Sequence, residues 1–278
     1  MPELPEAETI ARGLNAILPG RVVRGVEVVR EDVVRGPVRC FARAVAGREF
    51  RGVGRRGKNV VFTFGDSTRL VVNLGMSGRF MTGTEAHEDR TSTHPAVVFH
   101  LDDGGWMIYD DVRRFGRLAA LPGSEWAAWS RRLGPEPLAR GFTAARLHRI
   151  LARSRSPVRS LLLDQRRVAG VGNIYAVEAL WFARIDPRTP ANAIGATAAA
   201  RLHRALRRVL RSAIRAGGTT LRNYRDANGD EGRFGRALHA YGREGEPCTR
   251  CRTPIERIVF GGRSAFVCPH CQDGSADR

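Results

Sequence analysis

A chain of 278 residues with 42% hydrophobic and 27% charged residues can build more than one core, which excludes a disordered or fibrous polymer. Its charge is lopsided, 46 Lys plus Arg against 28 Asp plus Glu for a formal net charge of +18, so an anionic partner is expected and a polyphosphate backbone suits it best. The start, Met1-Pro2-Glu3-Leu4-Pro5-Glu6, has no apolar run like that of a secretory signal, and no stretch reaches the length of a membrane span, so a cytoplasmic protein without membrane contact is expected.

In residues 3–18, Leu4, Ala7, Ile10, Leu14, Ile17 and Leu18 recur at helical spacing, which predicts an amphipathic helix stopped by Pro19-Gly20. Short β-branched runs at 22–29, 60–64, 70–74, 96–101 and 106–109, with turns at Gly65-Asp66-Ser67 and Asp102-Asp103-Gly104-Gly105, predict an antiparallel sandwich or barrel. Gly134-Pro135-Glu136-Pro137 breaks any helix and suits a connector. Beyond it the chain reads as helical at 144–152, 158–165, 174–183 and 197–216, with a glycine-rich turn at 168–173, and 219–242 reads as a mobile loop. The expected architecture is therefore an α+β multidomain protein. Residues 1–130 form an N-terminal β-sandwich flanked by helices and 131–142 a linker; 143–242 form a helical domain, and 243–273 a metal-stapled β-hairpin.

Four of the five cysteines form two pairs, Cys248-x2-Cys251 and Cys268-x2-Cys271, sixteen residues apart. Each such turn presents two thiolates at one corner, and two turns close a tetrahedral zinc site. Four thiolates leave no position for water, so one structural Zn2+ is expected, with no hydrolytic role. Residues 255–260 and 264–267 flank Gly261-Gly262-Arg263, which puts an arginine at the hairpin tip. Cys40 stands apart and is expected to be buried. Gly170-Val171-Gly172-Asn173 leads into a helix and can aim N–H groups at an anion, or can simply be a tight turn. Arg153, Arg155 and Arg159 add charge nearby, as a phosphate-facing group or as a solvated face.

The motifs Pro2-Glu3-Leu4-Pro5-Glu6, Gly57-Lys58, Leu74-Gly75-Met76-Ser77-Gly78, Arg113-Arg114-Phe115-Gly116, Leu133-Gly134-Pro135-Glu136-Pro137-Leu138, Gly170-Val171-Gly172-Asn173-Ile174-Tyr175-Ala176 and Tyr241-Gly242-Arg243 through the four cysteines follow one another over residues 2–271. In this order they resemble the formamidopyrimidine-DNA glycosylases. The resemblance implies a helix-two-turn-helix DNA-binding module at 143–242 with a lesion-recognition loop, a zinc finger, and a monomeric bifunctional DNA glycosylase/AP lyase of base excision repair. Such an enzyme acts on double-stranded DNA carrying oxidised purines (8-oxoguanine, formamidopyrimidines) or abasic sites, in the bacterial cytoplasm at the nucleoid.

Residue by residue, the resemblance makes Pro2 the nucleophile, Glu3 the general acid, Lys58 the acid/base group of β-elimination, and Arg263 the group that grips phosphate and assists δ-elimination. Removal of Met1 would give Pro2 a secondary amine, and an α-amine titrates at about 7.7 to 8.0 against about 10.4 for lysine, so part of it is a free base at neutral pH. Read without the family, Pro2 and Glu3 also suit a helix start. Met76, Arg113 and Phe115 correspond to the groups that fill the gap left by an extruded base; by themselves Met76 and Phe115 would read as core. His94, Arg155 and Asn173 correspond to backbone contacts.

Asn73 stands where many relatives have His, and Val112 where they have Pro. A related reading, an endonuclease VIII type enzyme acting on oxidised pyrimidines, is disfavoured by Leu4, where that branch typically has Gly. A non-catalytic zinc-ribbon DNA-binding protein has no use for the Pro2-Glu3 start or for Lys58.

Overall fold

The computed structural model describes residues 2–84, 92–219 and 232–272, so much of the stretch read as a mobile loop at 219–242 lies outside the described residues. The chain divides into two compact units. Met1–Arg132 with Ala216–Arg233 form unit 1, and Leu133–Arg215 with Phe234–Arg278 form unit 2. Among the described residues no helix is long and apolar enough to cross a membrane.

Unit 1 runs α1 (Leu4–Asn15), β1 (Val23–Val28), α2 (Val38–Val45), β2 (Phe50–Arg56), β3 (Asn59–Phe64), β4 (Arg69–Asn73), β5 (Arg79–Thr84), β6 (Pro95–Leu101), β7 (Gly105–Asp110), β8 (Arg117–Leu121) and α3 (Gly123–Arg131). Two four-stranded antiparallel sheets, ordered β1-β6-β7-β5 and β2-β3-β4-β8, share one core, as the sequence pattern predicts for a sandwich. Phe62 of the second sheet meets Phe80 of the first edge-on at 5.4 Å, and Phe80 meets Tyr109 at 5.4 Å. The buried stripe of α1 (Ala7, Ile10, Ala11, Leu14) enters the same core.

Three strands escape the sequence pattern, β2, β5 and β8, and all three lie at sheet edges. Their sequences carry glycine and arginine or short alanines, and their pairing is supplied by a single well-patterned neighbour. Helices α2 and α3 join α1 in flanking the sandwich, as the expected architecture has it, although no periodic run marks their positions. Cys40, expected to be buried, is exposed, because α2 turns Phe41 and Val45 inward and leaves Cys40 off that face. α1 ends at Asn15, short of the predicted Leu18. Pro19 disfavours helical geometry in the residue before it, and the Asn15 carboxamide accepts the Val53 N–H at 2.7 Å.

Unit 2 contains α4 (Ala144–Ala152), α5 (Val158–Leu163), α6 (Asn173–Ala183), α7 (Ala196–Arg215), β9 (Glu256–Phe260) and β10 (Arg263–Val267). Nine of the eleven residues of α6 are buried, so it has no polar face and serves as the central helix against which α5 and α7 pack. α5 stops two residues earlier than predicted. Asp164 turns extended and its carboxylate accepts the Arg166 N–H at 3.0 Å. The Gly134-Pro135 stretch, expected as a connector, is pinned within this unit. Gly134 donates to the Gln165 carbonyl at 2.8 Å, and a Cβ there would stand 2.6 Å from the Arg167 backbone.

Candidate active site and metal centre

Pro2 is buried at the start of α1, directly before Glu3, the N-cap. A reciprocal capping box fixes both: the Glu6 carboxylate accepts the Glu3 N–H at 2.8 Å, and the Glu3 side chain accepts the Glu6 N–H. The second oxygen of Glu6 accepts the Thr219 N–H at 2.8 Å, which ties the 216–219 stretch to α1 within unit 1. Both carboxylates are buried, at 3% and 2% exposure, where the helix dipole favours negative charge.

Lys58 occupies the second position of the two-residue turn between β2 and β3, after Gly57 at φ +61°, the arrangement that suits a hairpin with glycine first. Arg55 joins this turn to α1, donating from Nε to Glu8 at 3.1 Å and from a terminal nitrogen to the Gly57 carbonyl at 2.8 Å. Helix α1 thus packs on the β2-β3 hairpin whose turn carries Lys58. A sequence signal that motif reading missed concerns the same residue. Lys58 is the only lysine in the chain, the other basic residues being arginines. A guanidinium stays protonated at any working pH and an ammonium need not, so Lys58 is the one basic side chain of its kind in the chain.

Met76 and Phe115 are not core. They are 40% and 54% exposed, and the Arg113 guanidinium lies 4.8 Å from the Phe115 ring centroid. Their loops touch through Gly75, at φ +58°, where a Cβ would stand 2.5 Å from the Gly116 nitrogen. His94 is exposed, with its backbone N–H on Asp110 at 2.9 Å.

In unit 2, Asn173 opens α6. Its carboxamide oxygen accepts from Arg159 at 2.8 Å and its nitrogen donates to the Ser264 carbonyl at 2.8 Å, which fastens the hairpin of β9 and β10 to the helix start. Arg159, which the sequence groups with its neighbours as phosphate-facing or solvated charge, is instead 1% exposed. It donates to the Phe260 carbonyl at 2.5 Å and lies 4.1 Å from the Phe260 ring centroid. Burial, and then the nearby Arg263 charge, push its pKa down. Arg263 is exposed but is not at the tip. The turn is Gly261-Gly262, both at positive φ, a conformation that costs glycine nothing, and Arg263 begins β10 opposite Phe260. Arg155 is exposed, and a cleft of about 420 Å³ beside α4 is lined by Arg146, Arg149, Arg153, Arg166 and Arg167.

The Sγ atoms of Cys248, Cys251, Cys268 and Cys271 all lie within 4.8 Å of one another. Without a cation such a cluster cannot ionise evenly. The Thr253 hydroxyl, acting first, holds the Cys251 thiol at about 6, and burial pushes Cys268 up to about 12. Four soft donors at this spacing fit one structural zinc. Around it Trp181 stacks on His239 at 4.6 Å, with the Arg250 guanidinium 4.2 Å from the Trp181 ring. Glu178, fully buried in α6, accepts the N–H groups of His239, Ala240 and Tyr241 at 2.9, 2.8 and 2.9 Å. No motif pointed to Glu178 or Arg159.

Three family models match in succession: the formamidopyrimidine-DNA glycosylase N-terminal domain over residues 1–118, that family's H2TH domain over 133–225, and a zinc finger found in FPG and IleRS over 245–274. The formamidopyrimidine-DNA glycosylase of Chloroflexus aggregans is 44% identical over 98% of both chains, and that of Herpetosiphon aurantiacus 43% identical over 98% of this chain and all of the relative. Among solved structures, the MutM (Fpg) protein of Thermus thermophilus superposes with a TM-score of 0.87 at 39% identity, over 99% of this chain and all of that one. A Lactococcus lactis Fpg mutant in complex with Fapy-dG-containing DNA gives 0.90 at 32% identity, over 98% and 99%. The sandwich, the helical module and the four-thiolate hairpin are those of a zinc-containing DNA repair glycosylase. The chain belongs to the formamidopyrimidine-DNA glycosylase family.

Proposed function

We propose that this enzyme excises oxidised purines, 8-oxoguanine and formamidopyrimidines, from double-stranded DNA and then cleaves the strand at the abasic site through an iminium on Pro2. The observation that carries the reading is the buried Pro2-Glu3 pair held by its capping box at the start of the helix that Arg55 bonds to the hairpin carrying the one lysine. With Met1 removed, the Pro2 lone pair attacks C1′, and the base departs with the electrons of the glycosidic bond, the proton that the Pro2 nitrogen then sheds balancing the one the base takes up. Glu3 protonates O4′ as the sugar ring opens, which leaves a C=N+ bond between C1′ and Pro2. The iminium acidifies C2′. Loss of that proton, with Lys58 as the shuttle, expels the 3′ phosphate, and loss of the C4′ proton then expels the 5′ phosphate.

Arg263, Arg155, His94 and Asn173 hold phosphates. Asn173 does so with its second amide hydrogen and the positive end of α6, since its carboxamide oxygen is taken by Arg159. Zinc holds the fold of the hairpin and takes no part in the steps. The excess positive charge steers the enzyme to DNA as a monomer, in the bacterial cytoplasm at the nucleoid.

Borohydride trapping tests the reading. The processed protein becomes covalently joined to an 8-oxoguanine duplex, and Pro2→Gly sharply reduces both the adduct and base excision while leaving DNA affinity largely intact. Undiminished turnover in Pro2→Gly would remove the mechanism. An oxidised-pyrimidine duplex belongs in the same assay, because a wild-type Lactococcus lactis Fpg has been solved with such DNA at a TM-score of 0.88 and 32% identity.

A further inference from the structure

We propose that Asp111 is the positioning residue that holds Met76, Arg113 and Phe115 in the arrangement needed to replace an extruded base. The proposal rests on the reading that these three side chains fill that gap. Asp111 follows the last residue of β7 and is 1% exposed. One carboxylate oxygen accepts the Ser77 hydroxyl at 2.6 Å. The other accepts the Gly116 N–H at 2.8 Å and the Tyr109 hydroxyl at 3.2 Å. Ser77 Oγ in turn accepts the Arg113 N–H at 3.1 Å. The loop that carries Met76 and the loop that carries Arg113 and Phe115 are therefore both bonded to one buried carboxylate.

The surroundings leave little play. A Cβ on Gly78 would come within 2.2 Å of the Tyr109 hydroxyl and one on Gly116 within 1.7 Å, so the two loops close directly on the Tyr109-Asp111 pair. Burial, with Asp111 second, pushes the Tyr109 phenol far up, so it stays a hydrogen-bond donor at every working pH. The preceding residue repeats the device on the other side. Asp110 accepts the His94 N–H at 2.9 Å, the Ser92 hydroxyl at 2.8 Å and Arg79 Nε at 3.2 Å.

The need for such a hub follows from what it holds. Met76 and Phe115 are apolar side chains kept exposed, so the hydrophobic effect pulls them toward collapse and no core packing opposes it. Buried, well-satisfied hydrogen bonds oppose it instead, and a carboxylate can accept from all three donors at once, which no neutral side chain of that size does. Asp111 touches no reacting atom in this account. It acts through the two loops.

The test separates insertion into the duplex from chemistry. Ser77→Ala cuts the link to the Met76 loop and to Arg113 at the cost of one hydroxyl, and Asp111→Ala cuts both loops free. Borohydride trapping of wild-type protein on an abasic duplex tests the lyase reading by itself; wild type and variants are then compared on a single-stranded abasic oligonucleotide, which has neither a base to extrude nor a duplex gap to fill. Excision from an 8-oxoguanine duplex is expected to fall about tenfold or more in both variants, while single-stranded abasic cleavage changes less than about twofold. A 2-aminopurine placed opposite the lesion should brighten on binding wild type and not the variants. Equal losses on both substrates, or no loss on the duplex, would overturn the proposal. If Asp111→Ala does not fold, Ser77→Ala decides alone.

Discussion

Asn73 donates from Nδ2 to Asn59 Oδ1 at 3.1 Å, and the bond is the middle link of a relay. Asn59 Nδ2 donates to the Arg56 carbonyl at 3.0 Å, at the base of the Lys58 turn, and Asn73 Oδ1 accepts the Gly75 N–H at 3.0 Å, at the base of the Met76 turn. Asn73 thus works as a strut between two loops. Asn73→Ala is expected to destabilise the protein by about 1 to 2 kcal/mol in urea denaturation. Asn59→Ala should do the same, and the double variant should lose less than the sum, because each single change already breaks the shared bond. Additive losses would show that the relay is not coupled.

Lys58→Arg keeps the positive charge and replaces an ammonium that can give up a proton with a guanidinium that does not. Strand cleavage after base loss should drop about a hundredfold, the typical contribution of a positioned acid/base group, while DNA affinity measured by fluorescence anisotropy stays within about threefold. Full cleavage by the arginine variant would reduce Lys58 to a phosphate contact.

Replacing Glu178 by Ala strips three N–H groups, one buried and two half-buried, of their acceptor. The segment that leads into the metal hairpin should loosen, at a cost of about 3 kcal/mol or more. Zinc release to a chromophoric chelator should quicken markedly, in advance of any change in the unfolding of the sandwich. Release at the wild-type rate would show that the hairpin holds itself.

His239 gives the metal module a dependence on pH. Burial first, then Arg243, Arg208 and Arg250, push its pKa below 6.5 in the folded protein. As pH falls through 6.5 the unfolded chain takes up this proton before the folded one does. Stability from this residue is therefore complete above that value and is lost below it. Between pH 7.5 and 5.5, at saturating zinc, His239→Phe should lose less stability than wild type in thermal unfolding, since it keeps a ring against Trp181 and carries no proton. Parallel losses would assign the pH dependence to other groups.

Much of this was legible in the amino-acid order because local chemistry dictates it. The CxxC pairs, the glycine-rich start of α6, the helical stripe of α1 and the β-branched runs of β3, β4, β6 and β7 each declare themselves within a few residues. What stayed hidden depends on partners far along the chain. Asp111 looks like an ordinary turn carboxylate until Ser77 is brought to it, and Arg159 looks like surface charge until the carbonyls of the metal hairpin close over it. Glu178 reads as the polar flaw in an apolar helix until residues 239–241 present three N–H groups to it. The edge strands β2, β5 and β8 likewise take their extended form from a neighbour rather than from their own side chains.

The turn formed by Gly57 and Lys58 has one further consequence. Because no second lysine exists, amine reagents meet a single ε-nitrogen and whatever amine begins the mature chain. Reductive methylation with 13C-formaldehyde therefore yields an NMR spectrum with one resonance for each. Titrating those two signals reads the protonation of each amine directly, free of the overlap that a lysine-rich protein would impose.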